Sequence, residues 1–322
     1  MTPKQRAVAA FDLVEPDDIV PTFELQFQLA DELLGKRHIS DRELDEAASA
    51  HERDRLILQN AELYLQEAER LDYSIICVTY GPTRREYLVR TFEHLKRLAG
   101  DRYLLAMIND GTMSIPDGSN MMQLVEDMTE RPDQMHQKLQ ASVNGALEHA
   151  EALRDAGADT CLLCADYCFN DGPFLSPKMF REFVTPYLTQ MCAGLREMGV
   201  YAIKHTDGDI MPILDQLVEA RPHALHSLDP QAGVDLRAVK DAVGDRVALC
   251  GNVHCGMLHN GTVEQIIEDS KRALQDGMPG GGFFFCTSNT PFKGMPLENY
   301  LAMLDVRKEY GRYDSRKLMA DS

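Results

Sequence analysis

Short apolar runs and amphipathic stretches of helical period alternate along nearly the whole chain. The extended apolar segments fall at 19–25, 74–80, 103–108, 160–165, 200–204, 224–227, 247–250 and 282–285. Helix-period segments lie between and after them, at 41–70, 84–99, 132–156, 177–198, 210–219, 236–242, 263–275 and 297–310. Apolar runs of strand length separated by amphipathic helices favour parallel pairing with helical crossovers. Eight such units predict a (β/α)8 TIM barrel, an α/β fold that commonly takes about 250 residues plus insertions. The expectation is one barrel domain over residues 1–322 with an N-terminal helical extension. A doubly wound open sheet is the alternative, but it would carry a glycine-rich phosphate loop after its first strand. The glycine cluster Gly280-Gly281-Gly282 precedes a strand instead, as an αβ turn would.

Barrel active sites sit at the C-terminal ends of the strands. Those ends read Glu24, Tyr80, Asn109-Asp110, Asp166-Tyr167, His205-Thr206-Asp207, Ser227 to Asp229, Cys250-Gly251-Asn252 and Cys286. Every end carries a polar or metal-competent residue. Glu24, Tyr80, Asn109 and Asn252 are therefore expected to bind substrate, and Asp166 and Tyr167 to act as acid–base or anchoring groups.

Charge narrows the partners. The 322 residues hold 33 Lys+Arg against 51 Asp+Glu, a formal charge of −18. Without clustered basic residues, nucleic acid is excluded as a partner. No run of about 18 apolar residues predicts a membrane span. The opening Met1-Thr2-Pro3-Lys4-Gln5-Arg6 has no apolar signal core, so the chain is read as cytoplasmic. The eight cysteines then read as reduced thiols, buried or metal-binding.

The sharpest local motif is Lys204-His205-Thr206-Asp207-Gly208-Asp209. Residues i and i+2 of an extended segment share a face, so His205 and Asp207 point together at the barrel mouth. Imidazole and carboxylate both ligate zinc; alternatively, the carboxylate orients the imidazole as a metal-free acid–base pair. Cys286 ends the last apolar run at the same mouth, either as a ligand or as a small buried hydrophobe. His254 and Cys255 are further candidates for the shell. Cys161, Cys164 and Cys168 invite a cluster, but Cys161 and Cys164 are an odd number apart and face opposite sides of a strand.

These residues also carry a family resemblance. The chain resembles the uroporphyrinogen decarboxylase superfamily, and within it the zinc-dependent methyltransferases that work with corrinoid proteins. The opening Lys4 to Phe11 followed by Glu15 to Pro21 is similar to the family's first helix and strand. Asp166, Gly172 to Pro177, Phe180 and Pro186 resemble the segment after its fourth strand. His205-Thr206-Asp207 falls where the methyltransferases have His-x-Cys, Gly251-Asn252 matches a Gly-Asn pair, and Cys286 with Pro296 to Asn299 matches the last zinc cysteine and the following helix. The decarboxylase itself has an arginine-rich grip after its first strand; here Thr22 to Gln28 contains no arginine.

The resemblance implies zinc held by His205, Asp207 and Cys286, and cobalamin carried on a partner corrinoid protein. It implies transfer of a methyl group between a small methylated substrate and that corrinoid protein. Aspartate in place of cysteine makes a harder Lewis acid, suited to an ether or phenolic oxygen, so O-demethylation of a methoxylated aromatic is the favoured version. Asp166 or Tyr167 would anchor or protonate the leaving oxygen. Competing expectations are a metal-independent decarboxylase or lyase of the same superfamily and a non-catalytic binding barrel. A homodimer is left open.

Overall fold

The computed structural model describes residues 1–313. Among the described residues nine strands occur, in chain order β1 (Ile75–Val78), β2 (Leu104–Ile108), β3 (Thr160–Leu163), β4 (Cys168–Phe169), β5 (Gly172–Pro173), β6 (Tyr201–His205), β7 (Ala224–His226), β8 (Ala248–Val253) and β9 (Phe283–Thr287). Seven of them form a curled, wholly parallel sheet in the order β1-β2-β3-β6-β7-β8-β9. Helices connect successive strands, giving a barrel-like α/β fold. The strands β4 and β5 form a small antiparallel hairpin on the loop after β3, which the apolar pattern did not announce.

The segment expected as the first strand departs from that expectation. Residues 19–25 make only isolated bridges, Ile19 with Arg312 and Thr22 with Phe285. They still lie between the two edge strands. The Phe285 amide donates to Pro21 O at 2.9 Å, and the Ser74 amide, just before β1, donates to Thr22 O at 2.7 Å. Pro21 has no N–H to give a ladder, so this eighth position is filled by irregular backbone.

Two expected helices are each split. The first becomes Asp41–Asp45 and Ala50–Leu71, because Ser49 accepts from the Glu52 amide and starts a fresh helix. The second becomes Pro177–Phe183 and Thr185–Glu197, with Pro186 in the first turn, where its missing N–H costs least. A further helix, Met121–Glu130, lies in the long loop after β2.

Strand alternation sorts the core into two regions. Inside the sheet pack Phe23, Leu25, Leu104, Leu162, Ile203, Cys250, Phe284 and Cys286, so the barrel is filled with side chains and is not a pore. The helix Pro3–Phe11 plugs the end opposite the strand C-termini. Its Phe11 ring stacks on Tyr201 at 4.5 Å and tilts against Phe284 at 4.8 Å. The outer core lies between sheet and helices. Cys161 belongs to it, while Cys164 packs against the inner cluster, as their odd spacing requires. No helix among the described residues is long and apolar enough to cross a membrane.

One buried ion pair ties β6 to its outer neighbours. Ile203 and His205 face inward, so Lys204 faces out. Its Nζ donates to Asp110 Oδ2 at 3.0 Å and to Ala165 O at 2.8 Å, and lies 4.0 Å from the Tyr167 ring centroid. Asp110 also accepts from Thr112 Oγ1, the Thr112 amide and the Ala165 amide. Burial would raise the Asp110 pKa, but Lys204 and these donors outweigh it and hold the carboxyl below its usual range. Removing one partner of such a pair leaves an uncompensated buried charge. Asp110→Ala should therefore lose about 3–5 kcal/mol of unfolding free energy in urea titration, whereas an exposed pair such as Arg42–Glu46 should contribute under about 1 kcal/mol.

Candidate metal centre

Three side chains from two strand ends converge at the mouth. Asp166 follows β3, His205 ends β6, and Asp207 follows two residues later. One donor atom from each lies within 4.8 Å of the others. His205 Nε2 is 3.7 Å from both Asp166 Oδ1 and Asp207 Oδ1. The His205–Asp207 pairing predicted from i, i+2 spacing is thus present, joined by Asp166.

The loop that carries Asp207 is held from several sides. Asp207 Oδ1 accepts from Ser227 Oγ at 2.7 Å and Oδ2 accepts from Asn289 Nδ2. The Asp207 amide donates to Asp166 Oδ1 at 3.2 Å, and the Gly208 amide donates to Asp229 Oδ2 at 3.3 Å. Gly208 has φ +83°, and a Cβ there would lie 2.4 Å from Phe169 O. Only glycine lets the chain turn this close beneath the β4–β5 hairpin.

His205 is oriented from behind. Its Nδ1 lies 2.9 Å from His226 Nδ1, a buried contact in which one ring donates to the other. When His205 is the donor, its Nε2 presents a bare lone pair toward two carboxylate oxygens, an arrangement that a cation completes. Burial and the neighbouring Lys204 charge push the His205 pKa down to about 3, so the imidazole is neutral and ligand-competent. Burial pushes Asp207 up to about 6; the nearby Asp166 and Asp229 charges add to this, and Ser227 and Asn289 oppose it. Two carboxylates and a neutral imidazole fit a divalent cation of hard or borderline character, zinc included.

The remaining expected residues occupy different positions. The Cys286 Sγ lies outside the three-donor group; the side chain is fully buried in the inner core with Cys250 and Phe284. Burial first, then the charge of Glu24, raises its thiol pKa well above the usual value. Tyr167, expected at the mouth, is wholly buried instead: its hydroxyl meets Thr112 Oγ1 at 2.5 Å and its ring packs edge-on against Phe180. Alternation after β3 turns Asp166 to the mouth and Tyr167 to the outer core. Asn109 donates to Ala146 O at 2.7 Å, fastening the helix Pro132–Asp155. Asn252 is buried, donating to Leu228 O and accepting from Arg272. The backbone of Tyr80 is bonded to the Tyr64 hydroxyl. His254 caps the helix Cys255–Asn260, and Cys255 Sγ donates to Thr290 O at 3.1 Å.

Glu24 is buried beneath the end of β9. It accepts from Thr287 Oγ1 at 2.5 Å, the Thr287 amide at 3.3 Å and the Tyr300 hydroxyl at 3.2 Å. Burial pushes its pKa up to about 8 despite these donors. His226 and Asn289, both touching the centre, were missed by the sequence reading. His226 ends β7, one residue before the end expected at Ser227, and Asn289 lies three residues past Cys286 in a loop of small polar residues.

Comparison with known proteins agrees with this architecture. Residues 111–310 match the family model described as Uroporphyrinogen decarboxylase (URO-D), and the chain belongs to that family. A methylcobamide:CoM methyltransferase, MtaA, of Methanosarcina barkeri (strain Fusaro) is 29% identical over 185 residues, covering 56% of this chain and 50% of that protein. The uroporphyrinogen decarboxylase of Aromatoleum aromaticum is 25% identical over 189 residues, with the same 56% and 50% coverage. The chain therefore spans about half the length of the curated relatives it matches. A solved methyltransferase from Methanosarcina mazei shares the fold, with a TM-score of 0.75 at 18% identity, covering 96% of this chain and 99% of that one.

Two outcomes are expected. In calorimetric titration with Zn2+, His205→Ala and Asp207→Ala should lose binding. Ser227→Ala, which removes only a support, should weaken it by about 10–100-fold. The second outcome concerns Glu24, whose pKa rises from 4.5 to about 8 on folding. Between those values the native state keeps a proton that the unfolded chain has released. Stability should therefore fall as pH rises through that window. Glu24→Gln removes this loss, so the stability of the variant relative to wild type should climb from pH 5 to pH 9 in denaturant melts.

Proposed function

We propose that this protein transfers a methyl group between a small methylated compound and a corrinoid protein, with Asp166, His205 and Asp207 holding a divalent metal, zinc by preference. The observation that carries the reading is the convergence of these three donors at the mouth of a URO-D family barrel. The similarity to a protein named methylcobamide:CoM methyltransferase supports the chemistry. Asp207 stands where a thiolate would stand in the zinc methyltransferases, and a donor set with two carboxylates favours an oxygen-bearing substrate. O-demethylation of a methoxylated aromatic is accordingly the preferred version.

A metal bound there supplies Lewis acidity toward the substrate heteroatom. The chain's own residues supply the rest. His226 fixes the His205 ring so that Nε2 faces the mouth. Ser227 and Asn289 hold both oxygens of Asp207 and fix its direction. Asp166 is the outermost member, its side chain 46% exposed; it reaches both His205 and solvent and is placed to hold or release a proton at the substrate oxygen. The apolar side chains Ile108, Phe169 and Met211 are exposed on elements at the same end of the sheet and offer an aromatic substrate or a partner protein non-polar contact.

The test is reconstitution. Protein loaded with zinc should be inert with a methoxylated aromatic alone. Adding a corrinoid protein reduced to the cob(I) state should yield methyl–cobalt absorbance and a matching amount of demethylated product. Asp166→Asn should slow that step by about 10²–10⁴. Cys286→Ala should keep its metal, because the thiol lies outside the donor group; loss of metal in that variant would return Cys286 to the shell. Release of carbon dioxide from a carboxylated substrate without corrinoid would overturn the reading in favour of a decarboxylase.

A further inference from the structure

The irregular segment 19–25 leaves a seam in the barrel wall between β9 and β1, and buried polar side chains fill it. On the inner side is Glu24, tied to Thr287 and Tyr300, with the Tyr300 hydroxyl 2.6 Å from that of Tyr73. On the outer side the helix Ala50–Leu71 presents Glu67. Its Oε1 lies 2.8 Å from His38 Nε2, and the two side chains are only 5% and 1% exposed. Glu24 and Glu67 both line one small cavity of about 10 Å3, with Tyr64, Tyr73 and Tyr80 around it. That is room for a single water molecule with several polar partners.

His38 also lines a second, larger space. A surface cleft of about 270 Å3 lies between Arg37, His38, Ser40, Tyr80 and Lys293. The His38 Nδ1 is buried and has no hydrogen-bond partner among the described residues. An orphaned buried N–H is costly, whereas an orphaned lone pair costs less. The favoured state therefore has Nε2–H donating to Glu67 and Nδ1 free to accept.

We propose that His38, Glu67 and a water in the small cavity form a proton relay that runs from the surface cleft through the seam to Glu24. A proton taken up at His38 Nδ1 releases the Nε2 proton to Glu67 Oε1. The other Glu67 oxygen passes its proton to the water, and the water passes one to Glu24. One proton enters at the cleft and one arrives at Glu24, whose carboxyl has first given up its own by the same steps run in reverse, so that the relay exchanges the Glu24 proton with the cleft. Tautomer exchange of His38 and rotation of the Glu67 carboxyl then restore the path. Burial raises the pKa of both Glu67 and Glu24 toward the neutral acid such a relay requires. Cys77, Tyr64 and Tyr73 also line the cavity; burial pushes the pKa of each well up, so they stay neutral. Tyr64 is engaged with the backbone of Tyr80.

The relay is independent of the substrate assigned above, and its test needs no turnover. Infrared spectra of the purified protein at neutral pH should show the carbonyl stretch of a protonated carboxyl that disappears in Glu24→Gln. On rapid mixing into D2O, this band should shift as its proton exchanges. Glu67→Gln, which keeps the shape and the contact with His38, should slow that shift by about tenfold or more, as should His38→Ala. Added imidazole should restore the rate in His38→Ala but not in Glu67→Gln. Absence of the band, or exchange at the wild-type rate in folded Glu67→Gln, would overturn the relay. Slowing in His38→Ala that imidazole does not rescue would assign the effect to packing, with the same consequence.

Discussion

The strict alternation of β6 governs most of what surrounds it. Lys204 and His205 are adjacent in the chain, and the pleat sends them to opposite sides of the sheet. Lys204 goes outward into a layer of aromatic side chains, where Asp110, Ala165 O and the Tyr167 ring neutralise its charge. His205 goes inward to the mouth, where His226 grips it from behind. A shift of one residue in this strand would bury the imidazole in the outer core and place an ammonium among the inner apolar residues. The six parallel ladders of the sheet hold that register, with His205 opposite His226 on β7. The ion pair on one side and the histidine pair on the other thus report the same constraint.

Much of this was legible in the chain because it follows from periodicity. Seven of the eight apolar runs became strands, and the helix Leu297–Tyr310 falls at its expected bounds. The pairing of His205 with Asp207 came from spacing alone. The unread parts arise where tertiary contacts override the local pattern. Residues 19–25 look like a strand, but Pro21 cannot donate and the segment pairs through its carbonyls. Cys286, expected as a ligand near the end of the last strand, lies on the inner face of β9 with Phe284 and Cys250, outside the Asp166–His205–Asp207 group. Tyr167 follows Asp166 directly, and adjacency in sequence means opposition in space. His226 and Asn289 carry no motif; only the folded register brings them to the centre.

The donor set also explains why the loop after β6 is so heavily tethered. Asp166 and Asp207 repel one another, and Asp229 adds to the local negative charge. Without an ion, that repulsion is countered by hydrogen bonds from Ser227, Asn289 and the Asp207 and Gly208 amides. These fix the carboxylates before any ligand arrives, so less ordering remains to be done on binding. The close approach of Gly208 to the Phe169 carbonyl carries the same order into the hairpin above.

The helix Pro3–Phe11 gives the barrel a directional character. Its Phe11, Ala7 and Ala10 close the lower end among the inner side chains. With that end stoppered and the interior packed, the three donors at the strand C-termini are open to approach from one side only. A pair of reactants of the kind proposed above would share that single rim, so the smaller one would have to be seated before the larger one covers it.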